Sequence, residues 1–156
     1  MRTPRGEELF QGIFSGKTIY PDDFHKNLIR AHSWFMYYYQ DPEKRKEGLK
    51  YAIDAFNEKP SPAPIMEIIL NAARYSELSP EINQFCADYI KQFQDNKQKW
   101  LKLDGYRQRL EAARLAAFRL EQDARERNNA ELINSYLTLQ TDYINQLISI
   151  TRRMKW

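Results

Sequence analysis

Residues 106–154, YRQRLEAARLAAFRLEQDARERNNAELINSYLTLQTDYINQLISITRRM, decide how this chain folds. Tyr106, Leu110, Ala113, Ala117, Leu120 and Ala124 recur at alternating four- and three-residue steps, and Ile133, Leu137, Ile144, Leu147 and Met154 resume the pattern after Arg127-Asn128-Asn129. Such spacing sets the apolar side chains along one seam of a helix. A seam of this kind belongs either to two helices folded back on each other or to one rod docked on a partner. The alanine-rich first half and the Asn128-Asn129 break favour the antiparallel hairpin, and the seam is assigned to folding.

The rest of the chain is read by the same logic. Of its 5 glycines, Gly6, Gly12 and Gly16 fall in the first sixteen residues, which leaves the remainder almost free of flexible turn residues. Pro21 before Asp22-Asp23, Pro42 after Asp41 and Pro80 after Ser79 each set a capping side chain at a helix start. These marks predict an all-α helical bundle of about six helices, at 22–40, 42–57, 62–76, 80–103, 105–127 and 129–154, in a single domain spanning 1–156. Gly105 either separates the fourth and fifth helices or kinks one long helix. The fourth should bury Ile82, Phe85, Cys86, Tyr89, Ile90, Phe93 and Trp100 on one face. The first carries two stripes, Phe24, Leu28, Ala31, Phe35 and Tyr38 beside Ile29 and Met36, and should be touched from two sides. In the poorly defined segment 1–20, Leu9, Phe10, Ile13 and Phe14 form either an amphipathic turn docked on the body or a peptide motif for something else.

Composition removes several classes of function. No apolar run approaches the ~20 residues that cross a bilayer, and acids interrupt the N-terminus before any secretory h-region forms. The single cysteine, Cys86, leaves no internal disulfide or cysteine-based zinc cluster, so a cytoplasmic chain is expected. The net charge of +3 is too small for a pronounced basic face. Residues 105–156 nevertheless hold 8 Arg and 1 Lys, against 5 Arg and 10 Lys in 1–104. Arginine suits planar, forked contacts with carboxylate or phosphate and is enriched at interfaces. Same-helix pairing accounts for part of it, through Glu121 with Arg125 and Asp123 with Arg127.

The candidates for chemistry are thin. Gly16-Lys17-Thr18 resembles the end of a phosphate-binding loop, but three residues rather than four separate Gly12 from Gly16 and no strand precedes them. A turn before the first helix is the better reading. His25 and His32, the only histidines, lie seven residues and so roughly 10 Å apart on a helix, too far to share one metal. A His with Asp22, Asp23 or Asp54 as partner is the sole route to a general base. In the run Trp34-Phe35-Met36-Tyr37-Tyr38-Tyr39, Tyr37 falls on the polar arc with Lys26, Arg30 and Ser33. Such a ring stacks on bases or anchors an interface.

Thr151-Arg152-Arg153-Met154-Lys155-Trp156 resembles, over about five residues, the basic tryptophan-containing string of the homeodomain recognition helix. Ile148-Ser149-Ile150-Thr151 stands where that family carries its Trp-Phe pair and adenine-reading asparagine. Phe35, Tyr39, Gly48, Ala55 and Pro60 are spaced as in one tetratricopeptide unit, but the following thirty-four residues do not repeat it, and no family is assigned. The expectation is therefore a non-catalytic adaptor or assembly subunit, without cofactor or metal, whose partner is another protein or a second copy of itself. Its contact residues are expected to be Tyr37, Arg107, Arg114, Arg119, Arg152, Arg153 and Trp156. The alternative is an accessory nucleic-acid-binding subunit that uses the C-terminal arginines and exposed aromatics. No small-molecule substrate or membrane partner is expected.

Overall fold

The computed structural model describes residues 4–16, 18–37, 41–58, 63–103 and 105–154. Among them the chain is all-α, with seven α-helices and no strand: α1 Pro4–Phe14, α2 Asp23–Tyr37, α3 Pro42–Glu58, α4 Ala63–Asn71, α5 Ser79–Trp100, α6 Tyr106–Glu126 and α7 Ala130–Met154. They fall into two compact units, Met1–Lys59 and Pro60–Trp156.

Two of the three marked helix starts work as their residues suggest. The Asp22 carboxylate accepts the His25 backbone N–H at 2.9 Å, and that of Asp41 accepts the Glu43 N–H at 3.1 Å with Pro42 opening α3. Ser79 does not cap. Its hydroxyl instead donates to the Ala73 carbonyl at 2.8 Å, and α5 begins with no side-chain cap. The cause lies upstream: α4 ends at Asn71 and tightens into a 3-10 turn over Ala72–Arg74, which leaves a carbonyl for Ser79 to satisfy.

In the first unit, α1 and α3 both contact α2, though Ile29 of its second stripe stays exposed. Phe10, Ala31, Leu49, Ala52, Ala55 and Phe56 form the core. The N-terminal segment docks on its own unit. Phe10 meets Phe14 in a tilted pair at 5.0 Å, Phe14 meets Tyr51 at 5.8 Å, and the Arg30 guanidinium lies over the rings of Phe14 and Tyr51. The open carbonyls at the end of α1 find side-chain donors: Thr18 donates to Gly12 at 3.0 Å, and Tyr20 to Ile13 at 3.0 Å. Gly16 follows in the left-handed region with φ of 83°.

In the second unit, α6 is the axis: α4, α5 and α7 all contact it. Gly105, with φ of 87°, separates α5 from α6 rather than kinking one helix. Leu110, Ala112, Ala113, Ala116, Ala117 and Ala124 are fully buried, and the short methyl groups let neighbours approach α6 closely from several sides. Ile82, Cys86, Tyr89, Ile90, Phe93 and Trp100 of α5 are buried as their spacing predicts. Phe93 is the hub, with Tyr106 stacked at 5.8 Å, Trp100 at 5.9 Å and Tyr143 edge-on at 5.6 Å.

Arg127-Asn128-Asn129 makes the antiparallel hairpin in a single turn. Asn128 adopts φ of 54°, a left-handed conformation that asparagine tolerates better than most residues. Its N–H donates to the Arg125 carbonyl at 3.1 Å and the Asn129 N–H to that of Ala124 at 3.0 Å, the two bonds of a Schellman cap. Asn129 then starts α7, its side-chain oxygen accepting the Leu132 N–H at 3.1 Å.

Candidate functional site

The outer face of α7 is where this molecule departs from its sequence reading. Tyr143 is 2% exposed and Gln140 is buried, while Leu137, Ile144 and Ile148 are 39%, 42% and 44% exposed. The seam assigned to Ile133, Leu137, Ile144, Leu147 and Met154 is therefore corrected. Leu137 and Ile144 face solvent, Ile133 and Leu147 are half-buried, and the side chain of Met154 lies outside the described residues. The reason is a competing stripe. Leu132, Tyr136, Leu139, Tyr143 and Ile150 have the same helical spacing, and α7 is rolled so that Tyr143, with Gln140, is buried and the other four are half-buried, while Leu137 and Ile144 are left exposed.

Polar contacts fix that roll. The Gln140 amide donates to Glu121 of α6 at 2.8 Å, and the Tyr106 hydroxyl donates to Gln146 at 3.0 Å. Glu121 is also held by Arg125, and the hydrogen bonds from Gln140 and Arg125 lower its carboxyl below the ordinary value. Burial, aided by the Asp142 charge, pushes the Tyr143 phenol up to about 12, so it sits inward as a neutral group. Its hydroxyl meets no partner in hydrogen-bond geometry, although the Gln94 amide lies near enough to favour the phenolate.

On the outside, Leu137, Thr141, Ile144 and Ile148 fall within an arc of roughly 60° at the ~100° that a helix turns per residue. Two shallow grooves flank them. One, of about 560 Å³, is lined by Asn134, Leu137, Thr138, Thr141, Asp142 and Asn145. The other, of about 360 Å³, is lined by Arg114, Ile144, Leu147, Ile148, Thr151 and Arg152. A larger cleft of about 780 Å³ lies between α4 and α6, with Glu67, Leu70, Arg74, Phe118 and Arg119 among its lining residues and Phe118 43% exposed.

The expected contact arginines divide between these features. Arg114 and Arg152 share the apolar groove on α7, where Arg114 is held by Glu111 and that hydrogen bond raises its pKa. Arg119 instead lines the α4–α6 cleft and donates to Asn83 at 3.0 Å. Arg107, Arg152 and Arg153 are exposed and make no hydrogen bond or ion pair among the described residues. Arg125 and Arg127 pair with Glu121 and Asp123 as their spacing predicts. Tyr37 closes α2 with its ring outside the described residues, and Trp156 lies outside them altogether. Composition gave no sign of Arg109, whose guanidinium lies 4.5 Å over Trp100 while the Tyr89 hydroxyl donates to its carbonyl at 3.1 Å.

The chemical candidates have structural tasks. His25 Nδ1 lies 2.7 Å from the Asp22 carboxylate that caps α2, in an exposed pair at the helix start. The Gly12 carbonyl accepts from Thr18, an acceptor where a phosphate cradle needs donors, and Lys17 lies outside the described residues. Cys86 is fully buried, and burial, opposed by the Arg119 charge, pushes its thiol up to about 12. Among the described residues, no group of three or more His, Cys, Asp or Glu is placed to hold a metal ion, and no helix is long and apolar enough to cross a membrane. No family model matches the chain, and neither does any curated protein sequence or solved structure.

Proposed function

We propose that this chain is a non-catalytic adaptor or assembly subunit that binds protein through the outer face of α7. One observation carries the reading: Leu137, Ile144 and Ile148 are exposed in a row on a helix whose other apolar stripe already serves the core. Scattered apolar side chains on a surface need no explanation, but a contiguous row rimmed by polar and charged groups is how helix-in-groove and helix-on-helix contacts are made. Arg152 at the end of the row suits the rim of such an interface. A lone buried thiol suits a reducing compartment, and we place the chain in the cytoplasm on that ground.

The test is affinity capture from the source cell with the wild-type chain and with a Leu137→Asp, Ile144→Asp, Ile148→Asp variant. The reading predicts that the variant stays folded and loses the associated protein. The same associates on both baits would end it.

Arg107, Arg152 and Arg153, exposed and unpaired among the described residues, favour a second reading as an accessory nucleic-acid-binding subunit. With about three phosphates neutralised, log affinity would fall with log salt at a slope near −3 for duplex DNA. Fluorescence anisotropy with single- and double-stranded DNA and RNA checks this, and no binding at micromolar protein removes it.

A further inference from the structure

We propose that a second copy of this chain docks antiparallel on the outer face of α7, with the two helices related by a two-fold axis near residues 142 and 143. The inference rests on the reading that this face binds protein, and it names the partner. The support is the symmetry of the row itself. Leu137 and Ile148 lie equally far on either side of the midpoint between residues 142 and 143, and so do Thr141 and Ile144. An antiparallel copy therefore sets Leu137 against Ile148 of the other chain and Thr141 against Ile144, twice over. The same surface meets itself, as an isologous two-fold contact requires.

The charges agree with that register. Asn134 and Thr151 share the midpoint, which brings Glu131 at the start of one α7 within a turn of Arg152 at the end of the other. In an antiparallel pair each flank meets its own equivalent. At ~100° per residue, Glu131 and Arg152 lie on the same flank of the row, about 120° and 60° from Leu137. Arg152, exposed and without an intramolecular partner among the described residues, thus gains an acid at both ends of the contact. A parallel pair would instead leave Arg152 level with Arg152 and Glu131 level with Glu131, with no acid near either arginine. Asp142, next to the axis, is turned roughly 140° away from Leu137 at that same advance per residue, and its carboxylate is occupied by the Gln146 amide at 2.9 Å.

Size sets the strength. From Leu137 to Ile148 the row runs roughly 16 Å at 1.5 Å per residue. One helix-on-helix contact of that length falls short of the ~1,200 Å² of a standard stable interface, so association is weak and reversible.

Sedimentation equilibrium of the full chain from roughly 5 to 500 µM spans that regime. The mass is expected to climb from monomer toward dimer, and Ile144→Asp to raise the concentration of half-dimerisation at least about tenfold. Glu131→Arg alone is expected to weaken the dimer, and Glu131→Arg combined with Arg152→Glu to restore it, a rescue that loss of folding does not produce. For orientation, Leu137→Cys and Ile148→Cys chains are mixed with a short bismaleimide; Cys86, fully buried, does not compete. A mixed 137–148 cross-link is expected, and a dominant 137–137 product overturns the antiparallel arrangement. A wild-type chain that remains monomeric throughout overturns the proposal. If the aspartate variants then still lose a captured protein, the broader reading survives the loss of this one, and if they lose nothing, both fall.

Discussion

Helices α6 and α7 are consecutive, similar in length and joined by one tight turn, yet they are built for different tasks. α6 is touched by three helices and is lined with alanines, and its apolar side chains are committed to the core apart from Leu115, which is half-buried, and Phe118, which is exposed in the α4–α6 cleft. α7 has α6 as its main neighbour and carries two apolar stripes, of which the core needs one. A helix with surplus apolar surface is either overcoded for folding or coded for something else. Burial separates these options, because Tyr143 and Gln140 are inside while Leu137, Ile144 and Ile148 are out.

If that contrast is right, truncation in α6 is the most damaging change. Leu110→Ala removes a fully buried side chain at the centre of the unit and is expected to cost about 2–5 kcal/mol in urea denaturation. Enlarging an alanine on the same helix breaks the close approach from the other direction. Ala117→Leu is expected to cost about 1–3 kcal/mol by the same measurement. A cost near zero at either position would mean that α6 is less tightly enclosed than its burial indicates.

The contact between the two helices is expected to be pH-sensitive through Glu121. Its carboxyl is lowered in the folded chain by the hydrogen bonds from Gln140 and Arg125, from an ordinary value of 4.5. The folded state therefore binds the proton less readily than the unfolded state. The contribution is fully present above pH 4.5 and is lost as pH falls below it through the lowered value. Glu121→Gln should flatten that acid limb in pH-dependent thermal melts while leaving the neutral-pH slope unchanged; an identical acid limb in the variant would contradict the assignment. The smallest effect belongs to the outer row. Ile148→Ala on dilute protein is expected to change stability by less than about 0.5 kcal/mol.

The same contrast explains what the sequence made legible. Tyr106, Leu110, Ala113, Ala117, Leu120 and Ala124 are all buried as their spacing predicts, because α6 has one dominant stripe with alanines filling the positions beside it. The break at Asn128-Asn129 was readable because one asparagine tolerates the left-handed turn and the next caps a helix. α7 is less legible because periodicity fixes which residues share a face and says nothing about which of two apolar faces turns inward. Two glutamines and two tyrosines settle it, through Gln140 on Glu121, Gln146 on Tyr106 and Tyr143 against Phe93, and polar residues carry little weight in a count of apolar spacing. Ser79 misled for a related reason, since its hydroxyl serves a carbonyl at the end of the preceding turn rather than the helix it begins. The arginine-rich flank was visible as composition, but its division between the α7 groove and the α4–α6 cleft is a property of the fold alone.

One pair of adjacent residues, Tyr143 facing in and Ile144 facing out, separates the core face of α7 from its spare face. Urea denaturation of Tyr143→Asp and Ile144→Asp, at protein concentrations low enough to leave the chain monomeric, compares them directly. A charge at Tyr143 is expected to destabilise the second unit by more than about 4 kcal/mol, whereas a charge at Ile144 is expected to leave the midpoint within about 0.5 kcal/mol of wild type. Equal destabilisation by the two substitutions would show that the outer row belongs to the core, and that α7 has no face to spare for a partner.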